Sequence, residues 1–200
     1  MKLIGMLDSP YVRRVAISLD LYGVAFEHQS VSVFSTFEQF HAINPVVKAP
    51  TLVLDDGTLL MDSSLILDYF EAQAPTDKKL LAQAPGARAH ELHLLGLALA
   101  ACEKTVQIVY EDNLRPAEKR HEPWIDRVTG QLLAAYSLLE KHLAQTTDAP
   151  LTQAALTAAV AWSFTQLKLP SVLDPKAFPN LQRHADQLEQ HPAFKRYPIE

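Results

Sequence analysis

The chain has 200 residues, of which 48% are hydrophobic and 20% are charged, and its formal net charge is −5. This composition excludes an intrinsically disordered chain, and no run approaches the roughly 18 to 20 uninterrupted apolar residues of a membrane-spanning helix. The chain meets an acid, Asp8, too early for a secretion signal, and its one cysteine, Cys102, cannot form an internal disulfide. We therefore predict a soluble, cytoplasmic protein without a membrane partner.

The negative charge is confined to the first part of the chain. Residues 1–75 contain four basic and nine acidic residues, whereas the remaining residues contain fourteen of each. A nucleic-acid-binding protein needs a basic face, so the sequence argues against a nucleic-acid partner. The change in charge also indicates two segments of different character.

Strand and helix patterns alternate in residues 1–75. Pro10 lies in the first turn of the first predicted helix, where proline is tolerated, and Gly23 ends that helix. The pair Asp56-Gly57 between two apolar runs is a strong hairpin signal. The predicted order is β-α-β-α-β-β-α. The strands are predicted at 2–6, 26–33, 51–54 and 58–61, and the helices at 11–21, 36–43 and 65–72.

After Pro75 the pattern becomes helical. Residues 76–86 are predicted to be a linker, and residues 87–200 to form an all-helical domain. In that domain Thr152 is followed three residues later by Ala155, so the acid that would complete a capping box is missing. Long helices are predicted at 87–113, 124–145, 152–167 and 180–190.

Three short motifs in residues 1–75 carry a resemblance to a known family. The first lies between the first strand and the first helix, the second precedes the hairpin, and the third begins the following helix. They are Ser9-Pro10-Tyr11-Val12-Arg13-Arg14, Asn44-Pro45 with Lys48-Ala49-Pro50-Thr51, and Asp62-Ser63-Ser64. In this order and spacing they make the chain resemble the soluble, bacterial-type glutathione transferases over essentially its whole length. The resemblance implies an N-terminal thioredoxin-like α/β domain, residues 1–75, that binds glutathione, followed by an all-α domain.

Ser9 is the predicted catalytic residue. Glutaredoxin-like proteins place a Cys-Pro-Tyr-Cys sequence at this turn, and here Ser9 and Val12 occupy the two cysteine positions. The turn therefore lacks the thiol that disulfide reductase chemistry needs. A serine hydroxyl can instead donate a hydrogen bond to the glutathione thiolate, with the positive end of the helix behind it. Two alternatives stay open: Ser9 is only a helix N-cap, or Tyr11 contacts the sulfur, as a tyrosine does in other branches of the family.

The resemblance also assigns the remaining glutathione contacts. It implies a cis peptide bond before Pro50, which turns the backbone of Ala49 outward to pair with the cysteinyl part of glutathione as an added strand. Asp62 and Ser63 are expected to bind the γ-glutamyl ammonium and carboxylate, and Lys48 to meet the glycyl carboxylate. The family usually has valine and glutamate where this chain has Ala49 and Asp62. Without the resemblance, Pro50 would be an ordinary trans proline, and Asp62 or Ser63 a plain helix cap.

Other candidate residues have simpler interpretations. Arg13 and Arg14 either attract an anionic ligand or form a solvated face. His90 and His93 are three residues apart rather than the four of a helical zinc-protease motif, so no metal is predicted. Cys102 lies in an apolar helix and is predicted to be a buried packing residue.

The resemblance implies an enzyme that conjugates the glutathione thiolate to an apolar electrophile, acts in detoxification and forms a homodimer. The electrophile is expected to lie between the two domains, against the first long helix, at Leu99, Glu103 and Tyr110. Two rival functions stay open. One is a non-enzymatic binding or regulatory protein on the same fold, and the other is a glutathione-dependent isomerase or dehalogenase.

Overall fold

The computed structural model describes residues 1–145 and 151–199. Two compact units are distinguished within it. Unit 1 consists of Met1–Leu81 together with Gln190–Glu200, and unit 2 consists of Ala82–Glu189. The division falls within the predicted linker, residues 76–86. The last segment belongs to unit 1, so the helical unit is shorter than the predicted range of 87–200.

Unit 1 is built on a four-stranded mixed sheet with the strand order β2-β1-β3-β4. β1 runs parallel to β2 and antiparallel to β3, which is antiparallel to β4. This arrangement confirms the thioredoxin-like order β-α-β-α-β-β-α. The strands are β1 (Lys2–Ile4), β2 (Glu27–Gln29), β3 (Thr51–Val53) and β4 (Leu59–Leu60), and the helices are α1 (Pro10–Tyr22), α2 (Phe37–Ile43) and α3 (Ser63–Gln73).

Strand β2 is shorter than the predicted range of 26–33. It is an outer strand of the sheet and pairs with β1, and the three residues of β1 set its length. Beyond the strand, Val31 turns into a small buried cluster with Ile4 and Phe40. A sequence pattern does not reveal this limit, because the limit comes from the partner strand.

Helix α1 has clear signals at both ends. The Ser9 hydroxyl accepts a hydrogen bond from the Val12 N–H at 3.4 Å, and Pro10 occupies the first turn. Gly23 has a φ of 78°, and its N–H donates to the Asp20 carbonyl. This left-handed conformation favours glycine. Between these ends, the helix buries an apolar face in the core of unit 1, formed by Val12, Val15, Ala16 and Leu19.

The C-terminal segment of unit 1 packs against α1 and contains α8 (Pro192–Arg196). Arg13 is fully buried, and its Nε donates to the Tyr197 carbonyl at 2.9 Å. Its guanidinium carbon lies 5.4 Å from the centroid of the Phe194 ring, a cation–π arrangement. Tyr197 in turn stacks on Phe26 with 5.6 Å between ring centroids. Arg13 therefore has a structural role, and its interpretation as part of a solvated face is wrong.

A buried carboxylate fixes the chain that follows α3. Glu71 is 4% exposed and accepts hydrogen bonds from the Tyr22 hydroxyl at 2.8 Å, the Leu80 N–H at 3.0 Å and the Leu81 N–H at 3.1 Å. A buried charge is tolerated only when such partners replace its hydration. Glu71 therefore fastens the last residues of this part of unit 1 to both α1 and α3.

Unit 2 is mostly helical, as predicted. Inside it, the Tyr136 hydroxyl lies 2.6 Å from Thr165 Oγ1, which lies 2.7 Å from Thr105 Oγ1. Burial raises the pKa of Tyr136 well above its ordinary value, so the phenol stays protonated. These hydrogen bonds connect three of the helices at their shared core. The helices are α4 (Pro85–Leu114), α5 (Glu122–Leu143), α6 (Gln153–Lys168) and α7 (Pro179–Glu189).

The longest helix that the structure describes in unit 2, α4, contains a long apolar stretch. An 18-residue window of it has a mean hydropathy of 1.4, so by length and composition alone it could cross a membrane. Core helices of soluble proteins pass the same test, and α4 packs against both α5 and α6. Cys102 lies in this helix and is fully buried, as predicted for a packing residue.

Helix α6 begins with half of a capping box. The Thr152 hydroxyl accepts a hydrogen bond from the Ala155 N–H at 3.2 Å. Residue 155 is an alanine and cannot return a hydrogen bond from its side chain, as the sequence predicted. The Ala155 carbonyl accepts a hydrogen bond from His184 Nε2 of α7 at 2.8 Å. The first turn of α6 is therefore also held by a contact with another helix.

Candidate functional site

The register of the sheet brings the three sequence motifs to one edge of unit 1. Ile4 at the end of β1 pairs with Thr51 at the start of β3. Leu52 pairs with Leu60, so the antiparallel register places Met61 opposite Thr51. The turn into α1, the loop before β3 and the turn into α3 all leave the sheet at this edge. The candidate residues, far apart in sequence, are therefore held together by strand pairing.

Close packing at Gly5 joins the first two motifs. A Cβ atom placed on Gly5 would lie 2.5 Å from Val12 Cγ2 and 3.4 Å from the Ala49 Cβ. Gly5 also has a φ of 140°, a conformation that side chains disfavour. The first turn of α1 and the loop before β3 therefore approach each other at a point that only glycine fits.

Ser9 lies at the N-terminus of α1 and is half-buried. Its oxygen accepts the 3.4 Å hydrogen bond from the Val12 N–H, so Ser9 is a helix N-cap, as one alternative predicted. A hydroxyl that accepts one hydrogen bond still has its own hydrogen to donate. The helix dipole adds roughly half a positive charge at this end. Ser9 can therefore cap α1 and stabilise a thiolate at the same time. Tyr11, the alternative, is half-buried in the first turn of α1.

A buried asparagine holds the loop before β3. Asn44 is 2% exposed, its Nδ2 donates to Thr51 Oγ1 at 2.8 Å, and its Oδ1 accepts from the Val46 N–H at 3.0 Å. The Thr51 hydroxyl donates to the Lys48 carbonyl at 2.6 Å. The loop is therefore fixed at both ends by side chains of its own motif.

The peptide bond between Ala49 and Pro50 is cis, which confirms the expectation from the resemblance. Pro50 is buried, Ala49 is half-buried and Lys48 is exposed. Within residues 1–145 and 151–199, no protein group forms a hydrogen bond with the Ala49 N–H or carbonyl. The Ala49 backbone is therefore open to pairing with an extended peptide.

Asp62 caps α3 with one carboxylate oxygen. Its Oδ1 accepts from the Ser64 N–H at 2.9 Å and from the Leu65 N–H at 3.4 Å, so the capping alternative is correct. This leaves the N–H of Ser63, the first residue of the helix, outside the cap. A helix N-terminus with a free N–H is suited to binding a carboxylate.

Arg14 is the functional candidate whose role the sequence did not specify. It is 1% exposed, and its Nη1 donates to Ser63 Oγ at 3.1 Å and to Ser64 Oγ at 3.4 Å. A buried positive charge therefore lies directly behind the N-terminus of α3. The solvated-face alternative is wrong for Arg14, and its position agrees with the other alternative, attraction of an anionic ligand.

Replacing Arg14 with methionine is expected to weaken glutathione binding by about 10- to 100-fold. A carboxylate bound at Ser63 would lie roughly 6 Å from the guanidinium, where the attraction is about 2 to 3 kcal/mol at an effective dielectric constant near 20. Arg14→Lys retains the charge and is expected to lose less. Calorimetric titration with glutathione measures both variants, after circular dichroism confirms that they are folded. Binding by a folded Arg14→Met variant as tight as that of the original chain would contradict this role.

The three residues expected to meet the electrophile share one face of α4 in unit 2. Leu99 is half-buried, and Glu103 and Tyr110 are exposed. Partial desolvation of this largely exposed side chain raises the pKa of Tyr110, so the phenol stays protonated near neutral pH. Glu103 accepts hydrogen bonds from Lys104 Nζ at 3.1 Å and Gln107 Nε2 at 2.8 Å. Gln107, which the sequence did not single out, therefore belongs to the same polar surface.

Histidines in unit 2 lie near one another without forming a metal centre. The rings of His90 and His142 are 5.2 Å apart between centroids. Burial, and then the nearby His90 and His184, lowers the pKa of His142, so this imidazole is neutral at pH 7. Among the residues that the structure describes, no three or more His, Cys, Asp or Glu side chains are grouped to hold a metal ion.

Comparisons with known proteins agree with this geometry. The profile of the family described as "Glutathione S-transferase, N-terminal domain" matches residues 3–78. The chain is 35% identical over 71 residues to the uncharacterized GST-like protein YibF of Escherichia coli, covering 36% of this chain and 35% of YibF. It spans about a third to a half of the length of the first curated relatives that it matches.

Two further relatives align along almost the whole chain. Maleylacetoacetate isomerase of Pseudomonas aeruginosa is 28% identical over 214 aligned residues, covering 98% of this chain and 94% of the isomerase. A glutathione transferase family member from Pseudomonas fluorescens Pf-5, solved with bound glutathione, superposes with a TM-score of 0.85 and 28% identity, covering 100% of this chain and 98% of that one. Together with the sheet-edge geometry, the profile match identifies residues 3–78 as a glutathione transferase N-terminal domain, and the structural likeness shows that the whole chain has the glutathione transferase fold.

Proposed function

We propose that this protein is a glutathione-dependent transferase in which unit 1 binds glutathione and Ser9 stabilises its thiolate. One observation carries the proposal. Strand pairing brings three groups to one edge of the sheet. They are the Ser9 hydroxyl at the N-terminus of α1, the unpaired backbone of Ala49 and the N-terminus of α3. These groups match the thiol, the peptide backbone and the γ-glutamyl carboxylate of glutathione. The Pseudomonas fluorescens relative, which binds glutathione, supports the same assignment.

The cysteinyl part of glutathione is assigned to Ala49. Its N–H and carbonyl can pair with an extended peptide as an added strand, which fixes the direction of the tripeptide. Gly5 packs between this loop and α1, so a cysteinyl residue bound at Ala49 is close to the first turn of α1. Pro50 anchors the loop from the buried side.

The two charged ends of glutathione are assigned to the flanking motifs. The γ-glutamyl carboxylate accepts from the Ser63 N–H, with the Arg14 charge behind it. The γ-glutamyl ammonium is assigned to Asp62, whose Oδ1 is used in capping and whose other oxygen remains for the ligand. Lys48 is exposed and is assigned to the glycyl carboxylate. These local charges allow an acidic segment to bind an anionic peptide.

The reaction follows from the position of Ser9. The glutathione S–H loses its proton to water, and the Ser9 hydroxyl donates a hydrogen bond to the resulting sulfur anion. The ordinary pKa of such a thiol is about 8.5, and stabilisation of the anion increases the reactive fraction at neutral pH. The sulfur then forms a bond to an electrophilic carbon. A halide leaves in a substitution, whereas an addition to a double bond ends when the adjacent carbon takes a proton from water.

An isomerase is the second candidate, and the Pseudomonas aeruginosa relative favours it because the likeness spans nearly the whole of both chains. In such a reaction the thiolate adds to a double bond, the carbon–carbon bond rotates, and the thiolate leaves again. Glutathione is therefore regenerated rather than consumed. The same Ser9 site serves both reactions, so the distinction is whether glutathione is used up.

Two measurements test the proposed function. A glutathione-dependent enzyme is expected to be retained on immobilised glutathione and released by free glutathione. A screen of electrophiles is then expected to show glutathione consumption in proportion to product. Product without glutathione loss would indicate the isomerase, and retention with no turnover of any substrate would indicate the non-enzymatic binding protein. Failure to bind glutathione at all would overturn the proposal.

The proposal includes a cytoplasmic homodimer that acts in detoxification. On α3, Leu65 and Tyr69 are one helical turn apart and are 63% and 43% exposed. We assign these two side chains to the dimer surface, because protein–protein surfaces contain contiguous exposed apolar residues. Sedimentation equilibrium at micromolar concentration tests the dimer, and a monomeric mass would exclude it under those conditions.

A further inference from the structure

The carbonyl of Gly5 receives a hydrogen bond from a side chain of the neighbouring strand. In the parallel pairing of β1 with β2, the Gly5 N–H donates to the Gln29 carbonyl at 3.1 Å. Strand β2 ends at Gln29, so the ladder of backbone hydrogen bonds does not continue to the Gly5 carbonyl. His28 Nε2 lies 2.8 Å from that carbonyl oxygen. Because a carbonyl can only accept, the imidazole carries a hydrogen on Nε2 and donates it.

This hydrogen bond holds a residue that has no space for a side chain. Gly5 is buried, and its φ of 140° is disfavoured for residues with a Cβ atom. A Cβ atom on Gly5 would meet both Val12 of α1 and Ala49 of the loop before β3. A buried carbonyl needs a hydrogen-bond partner, and the half-buried His28 supplies it. His28 therefore holds the backbone at the point where the first two motifs meet.

The backbone between Gly5 and Ser9 is short and closed by its own hydrogen bonds. The Ser9 N–H donates to the Met6 carbonyl at 3.2 Å, directly after Gly5. The Ser9 carbonyl accepts from the Arg13 N–H at 2.9 Å, which continues the turn into α1. A rotation of the Gly5 peptide is therefore transmitted to Ser9 over four residues, and it changes the distance from Ser9 to the Ala49 loop.

We propose that His28 is a positioning residue of the glutathione site, because its hydrogen bond to the Gly5 carbonyl sets the separation of the Ser9 hydroxyl from the Ala49 backbone. This inference rests on the proposed function and deepens it. In that function Ala49 holds the cysteinyl backbone and Ser9 stabilises the sulfur, so the separation decides whether the hydroxyl reaches the thiolate. A displacement of about 1 Å is enough to impair such a contact severely.

The test uses two polar variants that differ in reach. In His28→Gln the amide nitrogen can occupy the position of Nε2 and donate to the Gly5 carbonyl. In His28→Asn the side chain is one methylene shorter, so the donor does not reach. His28→Met fills a similar volume without any donor. Gln29→Met is the matched control on the same strand, since the Gln29 amide donates to Glu27 Oε1 at 2.7 Å.

The readout is the pKa of the thiol of bound glutathione, measured from the ultraviolet absorbance of the thiolate between about pH 5 and 9. It requires no electrophile. We expect His28→Asn and His28→Met to raise this pKa by about one unit towards the ordinary thiol value of about 8.5, which lowers the thiolate fraction at pH 6.5 about tenfold. His28→Gln and Gln29→Met are expected to keep the thiolate fraction within about twofold of the original chain.

A second measurement separates positioning from stability. Thermal unfolding and circular dichroism establish that each variant is folded, and calorimetric titration gives its affinity for glutathione. The affinity of His28→Asn is expected to change by less than about threefold, because the charged ends of glutathione bind at other groups. A purely structural role of His28 would lower the Tm of His28→Asn and leave the pKa of the bound thiol unchanged.

The outcomes distinguish this inference from the proposed function. The same pKa of the bound thiol in His28→Asn and His28→Gln would overturn the inference and leave the proposed function intact. A His28→Asn variant that does not fold, beside a folded His28→Gln, would show that the hydrogen bond serves the fold and would also overturn it. If the original chain does not bind glutathione, or does not lower the pKa of its thiol, the proposed function fails and the inference fails with it.

Discussion

Replacing Ser9 with alanine is expected to lower the kcat/KM for glutathione conjugation by about 10²- to 10³-fold at pH 6.5. This is the usual effect of removing one hydrogen-bond donor from a developing or resident anion in an active site. The loss is expected to shrink as the pH rises towards 9, because solution then deprotonates glutathione without help from the hydroxyl. Initial rates across this pH range measure the effect.

Three matched variants separate the roles of Ser9. Ser9→Thr retains a hydroxyl at the same position and is expected to keep most of the activity. Ser9→Gly lacks the hydroxyl but costs only a few tenths of a kcal/mol in helix capping, whereas Ser9→Ala costs about 1 kcal/mol. Equal losses of activity in the glycine and alanine variants would therefore assign the loss to the hydroxyl. Tyr11→Phe is expected to stay within about threefold of the original rate. A large loss there, with Ser9→Ala active, would transfer the catalytic role to Tyr11.

Replacing Glu71 with alanine is expected to lower the free energy of unfolding by about 3 to 5 kcal/mol. Each hydrogen bond to a charged group contributes about 1.5 to 3 kcal/mol, and removal of the carboxylate takes its acceptor oxygens away from the buried Tyr22 hydroxyl and from the Leu80 N–H. Single-domain proteins have only about 5 to 15 kcal/mol of stability in total. Urea-induced unfolding monitored by circular dichroism measures the change.

The controls for this prediction lie on the same helix. Glu71→Gln retains the shape of the side chain and one of its two acceptor oxygens, and it is expected to lose about 1 to 2 kcal/mol. Asp68→Ala removes an exposed acid of α3 and is expected to stay within about 0.5 kcal/mol. A Glu71→Ala variant that unfolds at the same urea concentration as Asp68→Ala would show that the three hydrogen bonds contribute little.

Much of the fold could be predicted because its signals are local. Ser9-Pro10, Gly23 and the Asp56-Gly57 pair mark ends and turns within a few residues of the structures that they define. The strand pattern of residues 1–75 and the helical pattern beyond them gave the thioredoxin-like order and the mostly helical second part. The edge of the sheet where the motifs meet follows from that order, since strand pairing fixes which ends lie together.

The roles of Arg13 and Arg14 could not be predicted from local patterns. Consecutive arginines in a helix are typical of a solvated face, yet both are buried. Their partners are distant in sequence: Arg13 binds Tyr197, 184 residues away, and Arg14 binds Ser63, 49 residues away. Only the tertiary fold brings these groups together.

The C-terminal segment shows the same limit. Residues 190–199 fall within the range predicted for the helical domain, yet they belong to unit 1.

The central claim is that glutathione binds at one edge of the unit 1 sheet with its sulfur at Ser9, and a crystal structure with bound glutathione tests it most directly. We expect the sulfur within about 3.5 Å of Ser9 Oγ, the cysteinyl backbone paired with Ala49, and the γ-glutamyl carboxylate on the Ser63 N–H. Glutathione bound elsewhere, or bound here with its sulfur turned towards Tyr11 and away from Ser9, would contradict the claim.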